Sequence, residues 1–177
     1  MTDPRPSEAP ALNWRTVPAP FRTLARWLTV VQAVGYAVAL VYVSQTTRLT
    51  PGGVATRYRG ADPAASDAAM QFPKSFAEML LTTHNHVFGL AAIFALSGLC
   101  VAFCTRPSER WRRLVITEPF GAILVSFSAM WLMRYVDPRF AWLLIASSSL
   151  LAATFYLQAF WILREVGLRE RWGRGSS

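Results

Sequence analysis

The sequence is poor in charge. Only 16% of its 177 residues are Asp, Glu, Lys or Arg, against 53% in the hydrophobic set, at a mean hydropathy of +0.29. A water-soluble domain needs a polar shell, and too few charged residues are present to build one, so the composition points to a membrane protein. Cysteine is scarce as well. Cys100 and Cys104 are the only two; four apart in an apolar stretch, they exclude a disulfide framework and read as small buried hydrophobes, with a soft-metal pair as the alternative. Histidine is limited to His84 and His86. No segment alternates polar and apolar residues as a barrel strand does. The Asp, Glu or Lys pattern of an ion pathway is missing from the apolar runs, as are the central Pro-Gly breaks of transporter helices, which argues against a pump or secondary transporter.

What is present is four apolar runs, at residues 24–44, 76–103, 115–133 and 140–163. Each is long enough to cross a hydrocarbon core of about 30 Å as a helix. The expected fold is therefore all-α: a polytopic membrane protein with four transmembrane helices in an antiparallel bundle. Residues 23–165 form the bundle, with a disordered cytoplasmic tail at residues 1–22, an extracytoplasmic loop at 45–74 and a basic cytoplasmic tail at 166–177. The first run lacks a small-x-small cleavage site and reads as an uncleaved signal anchor.

The net charge of +8 is mainly a topology signal. Twelve of the 18 basic residues flank the spans on the side of the termini, and six lie on the other side. By the positive-inside rule both termini are cytoplasmic. Arginines at span edges do not make the basic stripe of a nucleic-acid surface, so no nucleic-acid partner is expected.

Close helix packing in lipid favours small residues, here Ala33 with Ala37, Gly35 with Ala39, Ala91 with Ala95, Gly98 with Ala102, and the serine run 147–149. The connection at residues 134–138 makes the third and fourth spans antiparallel neighbours. Glu118 and Pro119 read as the start of the third helix, where a carboxylate and a proline both fit.

The remaining polar residues gather on the outer side. A turn is expected at Pro51-Gly52-Gly53, followed by Arg57, Tyr58 and Arg59, two cations around an aromatic ring. Ser75 and Glu78 form a capping box that starts the second span. His84 and His86 follow near the outer headgroup boundary, about 200° apart around a regular helix, so they cannot chelate one ion together. Glu78, Thr82 and His86 share a stripe. Arg134, Asp137 and Arg139 lie on the same side of the membrane, as candidates for anion or partner contact. The plain reading is an interfacial histidine bonded to Thr or to a loop carbonyl, with snorkelling arginines. The alternatives are a ligand for haem b or a transition metal, or anion or quinone binding. Haem with two axial histidines, or a closed metal shell, would need a ligand from a second chain, or Glu78 or Asp137 for a metal. No nucleophile and base can be paired, so no catalytic residue is assigned.

Tyr58-Arg59-Gly60 followed by the pattern E-x-L-x-x-x-H-x-H from Glu78 to His86, with Leu80 as its leucine, resembles small four-span proteins of bacterial inner membranes associated with electron-transport modules. The resemblance covers about half of the chain. It implies lipid and other membrane subunits as partners, and a role as an accessory or scaffold subunit beside cytochromes or quinones.

Overall fold

The computed structural model describes residues 13–61 and 71–172, all helix and connection. Four long apolar helices cross the membrane: α1 (Ala19–Thr47), α3 (Phe76–Ala102), α4 (Glu109–Tyr135) and α5 (Phe140–Trp172). A short helix, α2 (Pro51–Arg59), lies between the first two of these. The stretch expected as a turn at Pro51-Gly52-Gly53 is thus its first turn. Thr50 caps α2 by accepting from the Gly53 N–H, and Pro51 occupies a first-turn position where its missing N–H costs nothing. Arg48 and Leu49, at φ of 51° and 53°, reverse the chain between α1 and α2. Gly53 is obligatory there, because a Cβ would stand 2.0 Å from the Thr47 carbonyl oxygen.

α4 and α5 form the centre of the bundle and touch along their length, joined through residues 136–139. α3 packs mainly on α4, while α1 lies against α5 and barely reaches α3. The middle of the bundle is apolar: Phe94, Ala122, Ile123, Leu151 and Phe155 cluster there, and Tyr36 of α1 stacks on Phe155 at 4.7 Å. In lipid such a layer gains from close packing rather than from leaving water. Of the small residues expected at contacts, Gly98 is buried against Ile116, whereas Gly35, Ala37 and Ala39 are exposed. Ser147 is buried and accepts from Ser126 at 2.8 Å, while Ser148 and Ser149 face outward.

α4 begins six residues before the third run, at Glu109, which overturns the expectation for Glu118 and Pro119. Both lie within the helix, about 14 Å from its start. Pro119 has no N–H for the carbonyl of Val115, and Gln158 of α5 donates its Nε2–H to that oxygen at 2.7 Å. Gln158 also meets Ser97 of α3, so one amide links three helices. Glu118 Oε2 accepts from Thr154 at 2.7 Å, and its Oε1 is buried without a partner. α4 therefore carries an acid well inside its length, and proline-freed backbone is satisfied by a neighbouring helix.

At the end that carries the termini, the chain is already folded from Asn13. Trp14, 5% exposed, packs among Ala25, Val101, Cys104, Ile162 and Val166, and its backbone N–H donates to the Phe103 carbonyl. The tail expected up to residue 22 thus joins the bundle at its last ten residues; residues 1–12 and the basic tail beyond 172 lie outside the described residues. Glu165 of α5 accepts from the backbone N–H groups of Thr105 and Arg106, pinning the α3–α4 connection. Burial, then the charge of Glu165, pushes the Cys104 thiol up to about 12.

Candidate functional site

At the opposite end, α2 acts as a cap. Its Val54, Ala55 and Tyr58 pack against Met133, Phe140, Ala141, Leu144 and Ile145, where α4 hands over to α5. Burial raises the Tyr58 phenol, partly offset by the adjacent Arg57 charge. Arg57 donates to the Tyr42 hydroxyl at 2.6 Å and lies over that ring, tying α2 to α1. Arg59 donates to the carbonyls of Met133 at 2.9 Å and Arg134 at 3.3 Å. Those belong to the last turn of α4, where carbonyls lack helical partners and the dipole favours a cation. Gly60 follows at φ 89°, and a Cβ there would meet the Gln71 carbonyl oxygen at 2.8 Å. The chain that departs at Ala61 is gathered again at Gln71 and Lys74, through Ala61 N–H to Gln71 O and Lys74 N–H to Tyr58 O.

Arg134 completes the cap. Its Nε donates to the Lys74 carbonyl at 3.0 Å and its guanidinium lies over Tyr135. Asp137 accepts from the Arg139 N–H at 2.7 Å, forming the turn between α4 and α5. The residues expected as an anion or partner cluster are thus brought to one end of the bundle, but Arg57, Arg59, Arg134 and Asp137 are engaged in holding it together. The Arg139 side chain is exposed.

The capping box stands as expected: Ser75 Oγ accepts from the Glu78 N–H, and Glu78 returns the bond to the Ser75 N–H at 2.7 Å. Lys74 sits 3.8 Å from the same carboxylate. Glu78 therefore serves the start of α3 and does not meet His86. The imidazole of His86 bonds through Nδ1 to the Thr82 carbonyl at 2.9 Å. A carbonyl only accepts, so Nδ1 carries a proton and the exposed ring presents Nε2. Thr82 contributes its backbone and not its hydroxyl. The His86 ring lies 6.2 Å from that of Phe127, and His84 lies 5.0 Å from Phe88 on another face. The two histidines are both exposed and diverge, as the spacing requires. Among the described residues no three His, Cys, Asp or Glu side chains converge as a metal shell.

Sequence reasoning passed over Asn85, between the two histidines. It is exposed on α3, as are Gly89 and Ala92 one and two turns further on. It missed the α2 cap too, although Thr50-Pro51 carries an N-cap and a first-turn proline; the two glycines behind them masked it. Gln158 gave a weaker signal. Only by pairing it with the carbonyl that an in-span proline leaves open could its role have been found.

Residues 48–171 match the model of the Aq_1264_TM family, a transmembrane helical domain. The chain belongs to this family. The Aq_1264_TM match begins at Arg48, so it takes in α2 to α5 and leaves out α1, the helix with the least buried surface in the bundle. The matched segment thus holds α2 together with α3, α4 and α5. No curated protein and no solved structure gives a significant match.

Proposed function

We propose that the protein is an accessory or scaffold subunit of an electron-transfer complex, respiratory or photosynthetic, in a bacterial inner membrane, with both termini in the cytoplasm. It contacts its partners through the α2 end and the start of α3. The observation that carries this reading is the run His84, Asn85 and His86, exposed inside a membrane-spanning helix. Polar side chains that face outward from a membrane-spanning helix suit a polar partner better than lipid tails. The electron-transfer context rests on the resemblance of Tyr58-Arg59-Gly60 and the Glu78 to His86 segment.

A second reading draws on His86. With Nδ1 bonded to a backbone carbonyl, its Nε2 has the arrangement typical of a ligating imidazole, and haem or a transition metal could be held there with a ligand from a second chain. Purification in mild detergent separates the two. The scaffold reading expects co-purifying subunits that are lost in His84→Ala or His86→Ala and no Soret band from the isolated chain. A Soret band or stoichiometric metal in the isolated chain, abolished by either substitution, overturns it in favour of the second.

A further inference from the structure

One titratable side chain inside the bundle has no part in the cap or in the histidine face. Glu118 lies about 14 Å along α4 from Glu109, where that helix starts. Its partner Thr154 lies about 16 Å along α5 from Glu165, which marks the same end because it holds the backbone of Thr105 and Arg106. In the other direction Thr154 stands about 21 Å from Phe140. Both helices therefore put the pair well away from either connection.

The surroundings of Glu118 supply a hydrogen bond and no charge. Thr154 Oγ1 donates to Oε2 at 2.7 Å, while Oε1 is covered and unbonded. Among the described residues no cation pairs with the carboxyl. Leu114 and Trp111 share its face of α4 towards the basic end, and both are exposed. Arg112 and Arg113 project about 120° and 140° around the helix from it, and bond the Cys104 carbonyl and Glu109. α5 sets Leu151 and Gln158 beside Thr154, and its Arg164 lies over Phe160. α3 packs through Gly98 on Ile116, about 200° around α4 from Glu118, and α1 does not approach α4. From α2, Arg59 is bonded to the carbonyls of Met133 and Arg134 at the far end.

We propose that Glu118 binds a proton and stands between α4 and α5 as a neutral carboxylic acid, an intramembrane proton site whose Oε1 carries the hydrogen. A carboxylate only accepts; deprived of water and given one hydroxyl and no cation, it is among the costliest groups a fold can enclose. Oε1 is already covered by protein atoms, which leaves no place for a counter-ion or a water molecule against it. A proton needs no such room. It cancels the charge, and the Thr154 hydroxyl serves the oxygen that still accepts. Gln158 takes no part, since its amide is committed to Val115 and Ser97. An ionisable side chain retained inside a span marks a functional position, and here the ligand that fits is the proton.

Full-length protein in phosphatidylcholine vesicles is treated with dicyclohexylcarbodiimide, which dissolves in lipid and adds to protonated carboxyl groups. The acid's proton passes to one carbodiimide nitrogen and the carboxyl oxygen bonds the central carbon; nothing leaves, and acyl transfer to nitrogen then fixes the adduct. Peptide mass mapping at neutral pH should find Glu118 labelled about tenfold faster than Glu78 or Glu109, with the rate falling as rising pH removes the proton. Infrared spectroscopy reads the proton directly, whether or not the reagent reaches Glu118. The carbonyl band of a protonated acid should be present at neutral pH and lost in Glu118→Gln, which keeps the shape of the neutral acid and whose fold circular dichroism checks. Should that variant not fold, Thr154→Val decides, because loss of the hydroxyl bond should move the same band to higher frequency. A wild-type spectrum without the band at neutral pH, a band that survives Glu118→Gln, or one unmoved by Thr154→Val overturns the proton site.

Discussion

Pro119 and Gln158 illustrate how single side chains organise this bundle. The Val115 carbonyl, deprived of its helical donor, is supplied by an amide from the next helix. Gln158→Leu leaves that oxygen buried and unbonded and should cost about 1 kcal/mol or more in detergent unfolding. Pro119→Ala restores the helical N–H, so in that background the same substitution should cost clearly less; equal costs in both backgrounds would rule out the link. The sequence makes Gln158 visible as a polar residue in a span but gives no hint of its partner, because the pairing depends on how α4 and α5 are rotated against each other. His84 and His86 are the opposite case. Their divergence follows from helical geometry alone, and the structure adds only that Nδ1 of His86 is taken by Thr82.

Among the elements, the long helices were legible and the short one was not. Four apolar runs imply four spans because length and composition suffice. The start of α3 was fixed to the residue by Ser75 and Glu78, whose reciprocal bonds are local. α2 depends on tertiary contact: nine residues of modest helical preference become stable once Val54 and Tyr58 have Met133 and Ala141 to pack on. The helix start at Glu118 was misplaced because charged residues were taken to end the apolar run, whereas α4 extends two turns before it. Gly60 supplies the test of the cap. Gly60→Ala adds a Cβ where both φ and space forbid it, and should destabilise by about 1–3 kcal/mol in thermal or denaturant unfolding. Gly35→Ala meets nothing and should be neutral or mildly stabilising; equal losses in the two variants would dismiss the strained turn as their cause.

For the whole molecule, the distribution of basic residues gives the orientation an independent test. A cytoplasm-active reporter fused after Ser177 should work and an export-active reporter inserted near Gly60 should work, while the converse pairs stay silent; the reverse result would sink the assignment of sides. The bundle's internal polar contacts fall at separate levels. Ser97 and Gln158 lie on one side of the Phe94 and Phe155 layer, Ser126 and Ser147 on the other, and no continuous polar track joins them among the described residues. That arrangement suits a framework, and no sequence pattern announces it, because serine in a span reads the same whether it bonds its own helix or another.

The pairing of α4 with α5 also bears on how the chain is made. α4 alone would enter the bilayer with an acid at Glu118 and an open carbonyl at Val115, both answered only by Thr154 and Gln158 of the helix synthesised after it. The four-residue connection at 136–139 lets α5 follow at once. The two should therefore leave the insertion machinery together as a hairpin. A chain truncated before Phe140 should leave α4 extractable by alkali during biogenesis, and the full chain should not; firm insertion of the truncated form would show that α4 needs no companion.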